Sequence, residues 1–228
     1  MRAAGRRILI MAEMHGRDLT RRHVALALLV ALPLSFYLAS RGSGNDAIVA
    51  GGVGMAFSVS GATLFSVLSS TEVDQRLVLG GYRPFDLLLG RLLFLGPMGL
   101  VISALFSILM STASNPARPA LTFLGVAAVA IQAIPFGLAV GAAVPRELEG
   151  TLVLIGVVGM QLAVDPDSPV AKVLPFYGPQ QVIAASLTEH APIFWPLVLT
   201  VLYGLALMLV ARILMTGRVE VVRHGEIR

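Results

Sequence analysis

Long uncharged stretches alternate with short charged ones along this chain. Five of them lack Asp, Glu, Lys and Arg altogether: His23 to Ser40, Ala47 to Thr71, Leu92 to Ala117, Pro119 to Pro145 and His190 to Ala211. A hydrocarbon core takes roughly 20 helical residues to cross, so each stretch has about the length of a membrane span. A sixth, Gly150 to Val164, is shorter and gives only about 22 Å of helix. It crosses by borrowing Leu148 and the stems of flanking side chains, or where the bilayer is thin. The pattern predicts an all-α integral membrane protein with six transmembrane helices, at about 23–40, 47–71, 92–113, 120–145, 148–164 and 191–214. These form one domain, 23–217, between a basic N-terminal segment, 1–22, and a tail, 218–228.

The connectors carry structure of their own. Thr71 to Arg91 is short, amphipathic and charged. Its spacing predicts two helical turns over Glu72 to Leu79, with Val73, Leu77 and either Arg76 or Gly80 on one side. Gly80 and Gly81 stop the helix and Pro84 restarts the chain toward the next span. Spacing alone leaves two uses for it, docking on a soluble partner or a solvated link. Asp165 to Pro192 is interrupted by Pro166, Pro169, Pro175, Pro179 and Pro192, too broken to cross as one helix and too apolar for a free loop. It predicts two short re-entrant helices, Val170 to Leu174 and Gln181 to Leu187, around Phe176–Pro179. Tyr177 and Trp195 belong at the outer headgroup layer. At the other end, Arg6 to Arg22 mixes arginines with Ile8, Leu9, Ile10, Met11, Met14 and Leu19. That suits an interfacial helix or an ordinary positive flank, with a cleavable signal peptide as the third reading.

Composition agrees with bilayer residence: 56% of the 228 residues are hydrophobic and 13% are charged. The charges also give direction. Of seventeen cations, 14 fall on the side of both termini and three, Arg41, Arg118 and Lys172, on the other. Positive flanks mark the cytoplasm, so both termini are expected there, and the same count calls for the short span to cross. All cations but Lys172 are arginine, which points to a GC-rich bacterial genome and hence to a bacterial plasma membrane. The absence of cysteine excludes disulfides, thiolate metal sites and a cysteine nucleophile. No ionisable side chain stands at the centre of a span, and all four histidines fall outside, which argues against ion-coupled transport and intramembrane hydrolysis. Gln132 and Gln161 are the largest polar side chains inside spans, as lining of a pathway or, more commonly, as hydrogen-bonding partners between helices. Small residues at Gly51–Gly54 and Ser58–Ala62 allow close approach within a subunit or at a dimer seam. A Walker A loop needs a lysine after a glycine-rich turn, and Lys172 follows Ala171. The chain is therefore expected to have no ATPase site, no catalytic residues and no nucleic-acid partner of its own.

Over nearly its whole length the chain resembles the permease subunits of ABC-2-type ATP-binding-cassette exporters. The likeness rests on the six-span pattern with cytoplasmic ends, on the proline-rich outer segment before the last span, and on the first internal loop. There Glu72 and Asp74 stand at two acidic positions, followed by Leu77, Leu79 and Pro84. Arg76 and Leu77 depart from the family's Gly-Thr, and Glu147-Leu-Glu-Gly-Thr-Leu152 is nearer that motif, though one residue short. The resemblance implies a coupling helix in Glu72 to Arg83 that meets a separate ATPase through Glu72, Asp74, Arg76, Leu77, Tyr82 and Arg83. It implies Arg146, Glu147 and Glu149 as a second contact, their alternative being helix-flank charges at the interface. It further implies two permease copies, alike or related, driven by cytoplasmic ABC ATPase subunits that hold ATP and Mg while this chain binds no cofactor. The cargo would be a drug, lipid or other amphiphile, exported past re-entrant helices over the exit. A membrane anchor or scaffold for another complex, and an ion-independent facilitator, are the competing readings.

Overall fold

The computed structural model describes residues 2–21, 23–43, 46–144 and 146–225, which contain helices and no strand. Six helices correspond to the predicted spans: α2 (His23–Ala39), α3 (Asp46–Ser69), α5 (Pro84–Ser114), α6 (Pro119–Ala143), α7 (Glu147–Ala163) and α9 (Phe194–Gly225). Between and before them lie α1 (Arg2–Arg21), α4 (Thr71–Leu79), α8 (Tyr177–Ala185) and two 3-10 turns, Arg41–Ser43 and Ala171–Val173. Among the described residues α3, α5, α6 and α9 are long and apolar enough to cross a membrane. At 17 residues, α2 and α7 reach about 25 Å.

Small side chains decide which helices sit inside. The apolar windows of α3 and α6 are 72% and 78% buried, against 6% for α9, so α3 and α6 form the axis and α9 an outer wall. Their contact is close because Gly137 lets the α6 backbone lie on the carbonyl of Ser60, with Thr63 alongside. A similar approach brings α2 to α3, where a Cβ on Gly54 would stand 2.7 Å from Pro33 Cα. Pro33 has no amide hydrogen for the carbonyl four residues back, that of Leu29. Ser58 of α3 donates to that oxygen at 2.8 Å, so the proline leaves no orphan inside the bundle. Gly51, Gly52, Gly54 and Ser58 are thus occupied by partners within the chain rather than presented as a seam.

Helix ends differ from the charge-free boundaries in four places. The helix at the third predicted span begins at Pro84 instead of 92, because Pro84 opens it, the Asp86 carboxylate accepts from the Arg83 amide at 3.3 Å, and the charge of Arg91 is met internally. The fourth ends at Ala143, since Val144 is extended ahead of a proline in the sequence. The last runs through the predicted tail to Gly225; residues 226–228 lie outside the described residues. In the proline-rich segment the predicted Val170–Leu174 helix shrinks to the turn Ala171–Val173, and α8 starts at Tyr177, four residues before Gln181. Pro179 sits in its first turn, where no amide hydrogen is required.

The N-terminal helix runs along the first half of α5. Met11 is buried over Gly90 and packs with Val78 and Leu87, while Gly16 meets Phe94. Leu9, Ile10 and Met14 stay exposed, an apolar surface that no other helix covers. Arg2, Arg6, Arg7, Arg21 and Arg22 have side chains outside the described residues.

Candidate functional site

The arginine-rich end of the bundle gathers α1, α4, the start of α5, the start of α7 and the end of α9. A single residue, Ser70, joins α3 to α4. At this elbow Arg91 of α5 donates through Nη2 to Asp74 Oδ2 at 2.6 Å and to the hydroxyl of Ser70. Ser70 in turn donates to the Ser66 carbonyl at 2.6 Å. The Arg91 side chain is wholly buried and that of Asp74 is 13% exposed. Burial pushes the Asp74 carboxyl above its ordinary range, while the Arg91 charge and the hydrogen bonds from Arg91 and Ser70 pull the other way. Val78, one turn on, is buried with Met11 and Leu87, and Leu77 and Tyr82 pack against that group.

The stub is therefore anchored along the side carrying Asp74, Leu77 and Val78. Glu72, Val73, Arg76 and Leu79, spaced as one helical face, point away and are exposed. Of the six residues expected at a partner, Asp74 is engaged within the chain and Leu77 and Tyr82 pack against the buried group, whereas Glu72, Arg76 and Arg83 lie at the surface. Beside them Phe85 is exposed under the guanidinium of Arg212, 5.6 Å from its ring centre. At the start of α7, Arg146 pairs with Glu149 at 3.0 Å in the open, and Glu147 and Leu148 are exposed. Glu147 and Glu149 lie in the first turn of α7, where carboxylates suit the helix dipole.

At the opposite end the structure joins both singled-out glutamines to the proline-rich segment. Gln132 of α6 donates to the Pro175 carbonyl. Gln161 of α7 accepts from the Phe176 amide at 3.3 Å and donates to Gln180 Oε1 at 2.8 Å. Phe176 is buried edge-on against Phe136, ring centres 5.4 Å apart. Ile183 enters the groove that Gly52 and Gly125 leave between α3 and α6. Beyond it, Arg118 donates to the carbonyls of Ala185 at 2.5 Å and Ala191 at 3.0 Å, and Thr122 bonds Ser186 at 3.0 Å. Tyr203 of α9 donates to the Lys172 carbonyl at 2.6 Å.

No family model matches the chain, and no curated protein matches it. Geometry alone therefore has to rank the two ends. The one at the proline-rich segment is a closed joint whose side chains bond backbone and one another, with Gln132 Oε1 and Arg118 Nε left unpartnered among the described residues. The arginine-rich one presents a fixed helix with a free face.

Replacing Gln161 with leucine will loosen the joint at the proline-rich segment. It strands the Phe176 amide and the Gln180 side chain, at about 1–3 kcal/mol for a buried polar group left unpaired. Hydrogen exchange will then rise across 171–187 and stay unchanged in α3. Sequence reasoning missed Arg91, Ser70 and Arg118, the residues that hold each end. Their signal was available: Arg91 and Arg118 each border an apolar run, where a cation is either solvated or answered by partners.

Proposed function

We propose that this chain is the permease subunit of an ABC-2-type exporter, six-spanning, in a bacterial plasma membrane with both termini in the cytoplasm. In this reading two copies, identical or related, form the pathway, and separate ATPase subunits holding ATP and Mg drive efflux of a drug, lipid or other amphiphile. The observation that carries it is α4, a nine-residue helix gripped on one side by Arg91, Met11 and Leu87 and free on the other. An element fixed so firmly beside a mixed charged and apolar face suits docking, because little ordering entropy is lost when a partner seats there. Glu72 and Arg76 supply charge for orientation and Val73 and Leu79 supply apolar contact. Arg83, Phe85 and the Arg146–Glu149 pair add further exposed groups at the arginine-rich end. The uncharged interior of the spans supports an external energy source for any transport the chain performs.

Co-expression with candidate ABC ATPases from the same source, followed by purification in lipid nanodiscs, tests the reading. The expected result is a stoichiometric complex whose ATP turnover falls about tenfold in Glu72→Arg/Arg76→Glu, with the fold intact because both side chains are exposed. A chain that recruits no nucleotide-hydrolysing subunit is an anchor or scaffold, and the exporter reading is then wrong.

A further inference from the structure

We propose that Arg91 is a positioning residue that clamps the elbow between α3 and α4, so that α3, α4 and α5 move as one body when α4 is pushed. The identity of what pushes rests on the exporter reading; the clamp itself does not.

The elbow has one joint residue, Ser70, and Arg91 reaches across from α5 to hold both that residue and Asp74 in the first turns of α4. One guanidinium nitrogen makes both bonds. Among the described residues, Arg91 Nε and Nη1 and Asp74 Oδ1 have no hydrogen-bond partner. A buried ion pair adds little over an apolar pair of equal volume, and one with unanswered donors adds less. Its value lies elsewhere: it accepts a single geometry where leucines would slide.

The other end of α4 is built differently. Gly80 and Gly81 follow the helix, and Gly81 takes φ +90, a left-handed conformation that glycine adopts without strain. There the Gly81 and Tyr82 amides donate to the Val78 and Leu77 carbonyls, both at 3.0 Å, whereas Arg91 bridges Ser70 and Asp74 to α5, so a load on the face carrying Glu72 and Arg76 meets its stiff joint toward α3. Because Arg91 belongs to α5, the stiff joint delivers the load to two membrane helices together, and one of them, α3, is part of the buried axis. Asp74, an expected partner contact, acts inward.

The chain has no cysteine, so nitroxide labels can be placed at will. With Phe65→Cys and Glu72→Cys, both exposed, the label-to-label distance across the elbow is read by electron resonance on the partner-free chain in nanodiscs. Wild-type background should give one narrow distribution. Asp74→Leu/Arg91→Met, which removes both charges and keeps the volume, should fold as wild type yet broaden that distribution at least twofold. Ser70→Ala, which removes one of the two Arg91 bonds and leaves the ion pair, should broaden it too and covers failure of the double variant to fold. In the unlabelled complex, the double variant should hold the ATPase within about twofold while permease-dependent turnover falls about fivefold or more. Arg91→Lys, keeping a cation against Asp74, should restore at least half of the loss seen in Arg91→Met. An unchanged distribution in the variant that folds overturns the clamp, as does wild-type turnover in the double variant. If the unaltered chain recruits no ATPase, the exporter reading falls and the distance measurement alone decides the clamp.

Discussion

A valine at position 137 will separate the two axial helices and lower the thermal midpoint of the detergent-solubilised protein by about 10 °C. At Gly137 an added Cβ runs into the Ser60 carbonyl oxygen and stands 2.8 Å from Thr63 Cβ and 3.0 Å from the Ser60 carbonyl carbon. Two of those three obstacles are backbone, so no rotamer change relieves them. Overpacking a tight core typically costs about 1–3 kcal/mol, and a chain of this size loses about 2–4 °C for each kcal/mol. The upper end is expected here because α3 and α6 carry most of the burial. Gly156→Val and Gly204→Val serve as controls: nothing lies within 4 Å of a Cβ at either position, and their midpoints should stay within about 2 °C of wild type. Equal losses at all three would show that valine in a helix, rather than the α3–α6 contact, is responsible.

The second large effect is an asymmetry at the elbow. Asp74→Leu leaves Arg91 charged, buried and unpaired, and guanidinium does not release its proton at accessible pH. Stranding a buried charge costs about 3–5 kcal/mol. Arg91→Leu strands Asp74 instead, and a carboxyl can escape by taking up a proton. Its folded-state titration already lies above the unfolded value through burial, and loss of Arg91 removes the opposing attraction, so it moves further up. The sign follows from linkage. With the folded value raised, the stability is fully present below the unfolded carboxylate range and is lost as pH rises through the folded one. Arg91→Leu will therefore be nearly as stable as wild type at acid pH and weaker at neutral pH, whereas Asp74→Leu will be weak at both. The double apolar variant will recover most of either loss. Thermal melts of the three variants across that pH range make the comparison; parallel curves for the two single variants would rule the account out.

Charge-free runs located the helices that carry the fold, because a run without charges and a run that can sit in hydrocarbon are nearly the same thing. They misplaced the start of α5 by eight residues, since Arg91 is inside a helix and answered there. Which side of α4 is anchored was not legible: periodicity assigned Val73 and Leu77 to one face, but Arg91 and Met11, which decide the matter, come from distant parts of the chain. The proline-rich segment was readable as short broken helices, though a proline is a breaker only past the first turn, and Pro179 is within it. Gln132 and Gln161 drew notice as isolated polar groups in apolar helices. The carbonyl of Pro175 and the amide of Phe176, which they bond, are backbone atoms and leave no mark in a sequence; Gln180, the other partner of Gln161, is one polar residue among several in its segment.

The seating of α8 bears on how the molecule is made. Nine residues are too few for a helix to persist alone, so this one exists only where its groove exists. Gly52, Gly125, Gln132 and Gln161 all precede it in the chain, as do Arg118 and Thr122. During synthesis the groove on α3, α6 and α7 precedes its occupant, whereas the wall from α9, where Gly178 lies against Thr200 and the Pro196 carbonyl and Tyr203 holds the Lys172 carbonyl, follows it. Residues 171–187 are thus clasped in two steps, seated first on the helices before them and closed over by the one helix that follows.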